Sequence, residues 1–185
     1  IAADAEKVYD GTALEKTDGV TWTGLPTGFT VEASSAGSRT NVGSSANVVN
    51  DGYVIKDGNG VEQTANFTNV TKVDGTLTVN PKAVTISTGS AEKEYDGTPL
   101  TEGTVTINGL VDGESVTLVA TGSQTEVGDS KNTYGITWDN AAEANYTVAD
   151  DLGTLTVTKN ATAAVKLIAA DAEKVYDGSA LTKTD

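Results

Sequence analysis

Three times along the chain a tyrosine, an aspartate and a glycine stand side by side, at Tyr9-Asp10-Gly11, Tyr95-Asp96-Gly97 and Tyr176-Asp177-Gly178. An aromatic plate beside a carboxylate is chemistry suited to a sugar, which stacks on the ring and shares its hydroxyls with the acid. The same residue types also build a turn, with Asp accepting backbone hydrogen bonds, Gly supplying positive φ and Tyr packing at a core edge, and this is the preferred reading. Asp57, Asn59 and Glu62 offer oxygen ligands of the kind Ca²⁺ takes, but the full calcium-loop spacing is missing, so Asp57-Gly58 and Asn59-Gly60 read first as a solvated turn. One or both of Trp22 and Trp138 are expected to fill cores rather than to stand as exposed sugar platforms. The sequons at Asn66, Asn69, Asn145 and Asn160 match an acceptor pattern and carry no weight on their own.

The remaining composition removes most catalytic schemes. Cysteine, methionine and histidine are all absent, which excludes disulfides, thiolate nucleophiles, Cys-based zinc sites and imidazole general bases. Paired carboxylates hydrolyse glycosides only at a defined separation across a cleft, and nothing in the sequence marks such a pair. The expectation is therefore no enzyme, no catalytic residues, no cofactor and no metal. With 12 basic against 26 acidic residues the net charge is -14, a field that repels nucleic acid and anionic membranes. No apolar run approaches the roughly 20 residues needed to cross a bilayer, so membrane insertion is not expected either.

The elements that carry these residues repeat. Ala5-Glu6-Lys7-Val8-Tyr9-Asp10-Gly11-Thr12-Ala13-Leu14 returns at 91–100 and again at 172–181. Asn41-Val42-Gly43 answers to Glu126-Val127-Gly128, Asn66-Phe67-Thr68 to Asn145-Tyr146-Thr147, and Gly75-Thr76-Leu77-Thr78-Val79 to Gly153-Thr154-Leu155-Thr156-Val157. Residues 168–185 repeat 1–18 with only Thr12 replaced by Ser179 and Glu15 by Thr182, which points to a two-module super-repeat. The expected domains are a first β module over 1–81 with its N-terminal strand truncated, a second over 82–160, and the start of a third over 161–185.

Within each module the side chains alternate with a period of two. Val105-Thr106-Ile107, Val116-Thr117-Leu118 and Thr154-Leu155-Thr156-Val157 read as strands with one wet face, and Val84-Thr85-Ile86 and Val165-Lys166-Leu167 as strand starts. Asp57-Gly58, Asp74-Gly75, Asn108-Gly109 and Asp112-Gly113 read as tight turns. Asn140-Ala141-Ala142-Glu143-Ala144 allows a single helical turn before the last strand. Only 5% of residues are aromatic, so each module should be thin, and Asn80-Pro81-Lys82 and Thr158-Lys159-Asn160 leave little slack between neighbours. The Gly- and Asp-rich stretch from Asn47 to Gln63 makes the first module looser, the better place for a binding loop.

Together the Tyr-Asp-Gly motif, the mid-module Val-Gly pair, the Asn-Tyr-Thr or Asn-Phe-Thr triplet and the closing Gly-Thr-Leu-Thr-Val resemble the tandem Tyr-Asp-Gly and MBG-type repeats of bacterial cell-surface adhesins. The resemblance implies an all-β fold of end-to-end modules, each a small immunoglobulin-like β-sandwich or β-grasp-like unit, in an extracellular protein of the bacterial surface. It implies a stalk or fibre that extends a binding domain from the cell, with adjacent modules of the same chain as partners. Alternatives are a module binding host glycans or glycoproteins, and a filament subunit that self-associates through an overhanging strand. Surface domains of this form also raise the prospect of a Lys–Asn isopeptide bond at Lys7 or Lys93, although no motif selects an asparagine.

Overall fold

The structure is a computed structural model that describes residues 1–183. It is all-β, with fourteen short strands and two single turns of 3-10 helix at Thr64–Asn66 and Glu143–Asn145. The six strands of the first half are β1 (Ala5–Val8), β2 (Thr30–Glu32), β3 (Ser35–Ala36), β4 (Gly43–Val49), β5 (Val54–Lys56) and β6 (Gly75–Asn80). The second half contributes β7 (Lys82–Thr88), β8 (Ala91–Glu94), β9 (Val105–Asn108), β10 (Val116–Ala120), β11 (Gly128–Lys131), β12 (Tyr134–Trp138), β13 (Tyr146–Asp151) and β14 (Thr154–Thr158).

Strand pairing stays within each half. In the first, β1, β6, β4 and β3 form one sheet in that order and β2 pairs with β5. In the second, β14 lies between β11 and β8, β7 lies between β13 and β9, and β10 pairs with β12. The sheets are mixed, since β1 runs parallel to β6, β8 to β14 and β7 to β13, while the other pairs are antiparallel.

Alternation drives this arrangement. Along Gly75-Thr76-Leu77-Thr78-Val79 the Leu and Val are buried while Thr76 faces solvent, and Leu155 and Val157 repeat the pattern in β14. In β7 the buried pair is Val84 and Ile86. Small aliphatics with Thr between them suit a pleated surface wetted on one face.

Several expected turns behave differently. Asp74-Gly75 is not a positive-φ turn, because Gly75 opens β6 and its missing side chain admits the Ala3 carbonyl, 2.4 Å from where a Cβ would stand. Asp74 instead accepts the Val49 N–H through Oδ1 at 3.0 Å. In Asp57-Gly58-Asn59-Gly60 the positive φ belongs to Gly60, not Gly58. The stretch from Asn47 to Gln63 is only partly loop, since β4 runs to Val49, β5 covers Val54–Lys56 and Lys56 bridges to Glu62. Val165-Lys166-Leu167 forms no strand within the described residues and stands exposed, because a strand needs an edge to pair with and this segment meets none. Thr184 and Asp185, the end of the expected third module, lie outside the described residues.

Candidate functional site

Each Tyr-Asp-Gly turn is built around a lysine. Lys7 Nζ donates to Asp10 Oδ1 and to the Thr12 carbonyl, both at 2.6 Å, while Thr12 donates to the same Asp10 oxygen through its N–H at 2.9 Å and its hydroxyl at 2.8 Å. Gly11 closes the loop at φ +80°. Lys93, Asp96 and Thr98 repeat the set with distances of 2.7, 2.6, 2.9 and 2.8 Å, and Lys174, Asp177 and Ser179 form a third. Lysine bonding first, then the Thr12 or Thr98 donors, hold Asp10 and Asp96 well below the usual carboxylate range, and the same causes bring Asp177 down to about 2. With its carboxylate committed to the turn, the motif is a structural clip, and both Lys7 and Lys93 are occupied in it.

The tyrosine of the motif has a separate task. Tyr9, at the end of β1, packs edge-on against Tyr146 of β13, with ring centroids 5.6 Å apart and planes at 84°. Trp138 of β12 stacks on the other side of Tyr146 at 5.6 Å and 17°. Tyr9, Val79, Val84, Ala141 and Tyr146 thus form a buried cluster that joins the two halves, with Leu110, Val111 and Trp138 packed against it. Glu114, in the loop before β10, accepts hydrogen bonds from both phenols, Tyr9 Oη on one oxygen and Tyr146 Oη on the other at 2.5 Å. The Val111 N–H donates back to Tyr146 Oη at 3.1 Å.

Both phenols are harder to ionise as a result. Desolvation and the Glu114 bond push Tyr146 up to about 12, and the Glu114 bond followed by burial raises Tyr9. Tyr134 also rises to about 12, through desolvation and its bond to Asp150.

A second clasp lies beside the first. Asn145 is buried, and its Oδ1 accepts the Val42 N–H at 2.9 Å while its Nδ2 donates to Asn41 Oδ1 at 3.1 Å. Arg39 braces that loop by donating to the Asn41 and Val42 carbonyls at 2.8 and 2.6 Å. Gly11 fits against Val111, whose Cγ1 would lie 3.1 Å from any Cβ. Burial and these bonds also close the sequon at Asn145 to modification.

Two further asparagines hold corners inside each half. Asn47 donates from Nδ2 to the Ala3 carbonyl at 2.9 Å, and Asn132 to those of Gly89 and Glu102 at 2.9 and 3.0 Å. Each Oδ1 lacks a hydrogen-bond partner. Gly153 is required at the second corner, since a Cβ there would meet the Gly89 carbonyl at 2.2 Å.

The other expected residues stay apart. Asp57 accepts the Asn59 and Val61 N–H groups at 2.9 and 3.0 Å, as in a side-chain-capped turn, and no group of three His, Cys, Asp or Glu residues suited to a metal occurs among the described residues. Of the two tryptophans Trp138 packs against the core, whereas Trp22 is 44% exposed and lines a groove of about 370 Å³ in the first half together with Ile1, Val20, Tyr53, Phe67 and Val70. Glu114 and Asn132 were not singled out by the sequence, and Asn41 only as part of a repeat landmark. Glu114 follows one Asp-Gly pair among several, and its partners are 105 and 32 residues away.

No helix among the described residues is long and apolar enough to cross a membrane. No curated protein and no solved structure gives a significant match to the chain. Residues 80–154, the span that carries the second lysine clip, Glu114, Asn145 and Tyr146, match the family model of the YDG domain.

Proposed function

We propose that the chain is a structural repeat region of a bacterial cell-surface adhesin, two tandem β-sandwich modules followed by the start of a third, which holds a binding domain away from the cell. The observation that carries this reading is the double clasp between the halves, where Glu114 takes both Tyr9 and Tyr146 and Asn145 takes the Asn41-Val42 loop. Only Pro81 separates β6 from β7, so the joint has almost no slack. A joint both short and clasped favours reach and stiffness, the properties a stalk requires.

An immunoglobulin-like sandwich suits the strand pattern better than a β-grasp, whose sheet is covered by a helix. The described residues offer only two 3-10 turns for that role. The acidic surface would keep neighbouring stalks from collapsing on one another. Small-angle scattering tests the reading. The chain should give one narrow distribution of maximum dimension, and Glu114→Ala combined with Asn145→Ala should broaden it. Equally broad distributions in both proteins would refute the stiff stalk.

A further inference from the structure

In the second half β7 lies between β13 and β9, and its Val84 and Ile86 are among the most deeply buried side chains. In the first half the matching flanks are residues 67–73 and 20–25, and the space between them is the 370 Å³ groove. Sequence aligns those flanks: Phe67-Thr68 with Tyr146-Thr147, and Gly24-Leu25 with Gly109-Leu110. Ile1 fixes the register at one end. Its amino group donates to the Thr21 carbonyl at 2.8 Å and its carbonyl accepts the Thr21 N–H at 2.9 Å, the exchange expected of Ser87 opposite Thr106. The groove therefore holds the place that Lys82–Ile86 fill between β13 and β9 in the second half.

The same molecule carries a segment of that description. Ala163-Ala164-Val165-Lys166-Leu167 stands before Ile168, and residues 168–183 reproduce 1–16 almost without change. It aligns with Lys82-Ala83-Val84-Thr85-Ile86, so Val165 and Leu167 take the places of Val84 and Ile86. Both are 1% or less exposed in β7, whereas Val165 is 81% and Leu167 93% exposed. An apolar period-two segment without a sheet and a sheet gap of matching register are complementary.

We propose that residues 163–167 of one copy insert as a strand into the groove of a second copy, parallel to residues 67–71 and antiparallel to residues 22–23, with Leu167 opposite Trp22. The donor stops at Leu167 because Ile1 holds the next position, unless the donor's copy of the opening segment displaces Ile1 onward.

A second contact agrees with this docking. Insertion brings the donor's Tyr95 and Val127 toward Phe29 and Phe67, which stand where Glu114 and Tyr146 meet Tyr9 and Val42 inside one chain. Val127 is 48% exposed, and Asn66, the counterpart of buried Asn145, is also exposed. Because the donor and acceptor surfaces differ, the contact is head-to-tail, which propagates into open filaments or closed rings. This inference is independent of the stalk reading, since it concerns the groove and the segment alone.

The chain lacks cysteine, so introduced thiols report one contact only. A Leu167→Cys chain mixed with a Trp22→Cys chain should form a covalent heterodimer on oxidation, because cross-strand neighbours meet the Cα spacing of a disulfide. The unmodified chain should self-associate with rising concentration in sedimentation, Leu167→Asp should weaken that association more than about tenfold, and a peptide of residues 161–168 should compete. Leu167 is on an exposed segment, so its substitution leaves the folded halves intact. A monomer at all concentrations, a link formed only within a double-cysteine single chain, an association indifferent to Leu167→Asp, or a glycan that fills the groove of a monomer would each overturn the proposal.

Discussion

Glu114 is the most exacting side chain in the molecule. Its two carboxylate oxygens hold two phenols from opposite sides of the joint, so its removal strands two partly buried hydroxyls at once. Glu114→Ala should destabilise the protein by about 1–3 kcal/mol in chemical denaturation, with Glu114→Gln losing less because the amide oxygen still accepts one bond. The same contacts make the protein sensitive to alkali. Folding raises Tyr146 and Tyr134 from about 10 to about 12, so their contribution is complete below pH 10 and disappears as pH climbs through 12. Phenolate absorbance should show Tyr146 and Tyr134 titrating late and Tyr9 above its ordinary value, and Tyr146→Phe should remove one of the late steps; a single ordinary titration near pH 10 would contradict the assignment.

What could be seen in the sequence follows from the range of each interaction. The lysine clip is local, with Lys, Asp, Gly and Thr inside six residues, so Tyr9-Asp10-Gly11 was readable as a turn from residue types alone. Its tyrosine was foreseen only as a core-edge residue, because the partners on Glu114 and Tyr146 come from beyond 100 residues away. Asp74-Gly75 shows the opposite failure. Two turn-forming residues sat where a carbonyl needed room, and the glycine served close approach instead of positive φ.

At the scale of elements, the strands were legible wherever Thr alternates with Val, Ile or Leu, as in β6, β9, β10 and β14. Their pairing was not, because period two states which face is buried and leaves the neighbour unspecified. The corners that set the pairing rest on glycines with no Cβ to spare. Gly153→Ala should cost about 1–3 kcal/mol, since a Cβ would meet the Gly89 carbonyl, whereas Gly135→Ala, which faces open space in β12, should be near neutral. Comparable melting temperatures for the two variants would show that the corner is more compliant than its geometry suggests. The half-exposed Trp22 also belongs at this scale. Its counterpart Ile107 pairs with Ile86 of β7, and no strand of the described residues stands opposite Trp22 in that position.

For the whole molecule, the parallel pairing of first and last strands has a mechanical consequence. In the first half β1 and β6 match over four residues, from Ala5 with Leu77 to Val8 with Asn80, and β8 and β14 do the same from Ala91 with Leu155 to Glu94 with Thr158. A pull on the two ends of the first half loads β1 and β6 along their length in opposite directions, while in the second half, which opens on β7, the load meets the parallel β7–β13 ladder before it reaches β8. Their hydrogen bonds are then sheared together instead of being unzipped one after another. Because Pro81 alone links β6 to β7, tension passes from one half to the next with no slack to absorb it. Single-molecule stretching should therefore show rupture at high force with the parallel ladders as the points of failure, β1–β6 in the first half and β7–β13 and β8–β14 in the second. Proline in place of Lys7 or Lys93 should lower that force sharply, and Lys7→Ala or Lys93→Ala, which lose the clip but keep the ladder, should lower it less, which would identify these short parallel ladders as tethers that keep the chain intact under load.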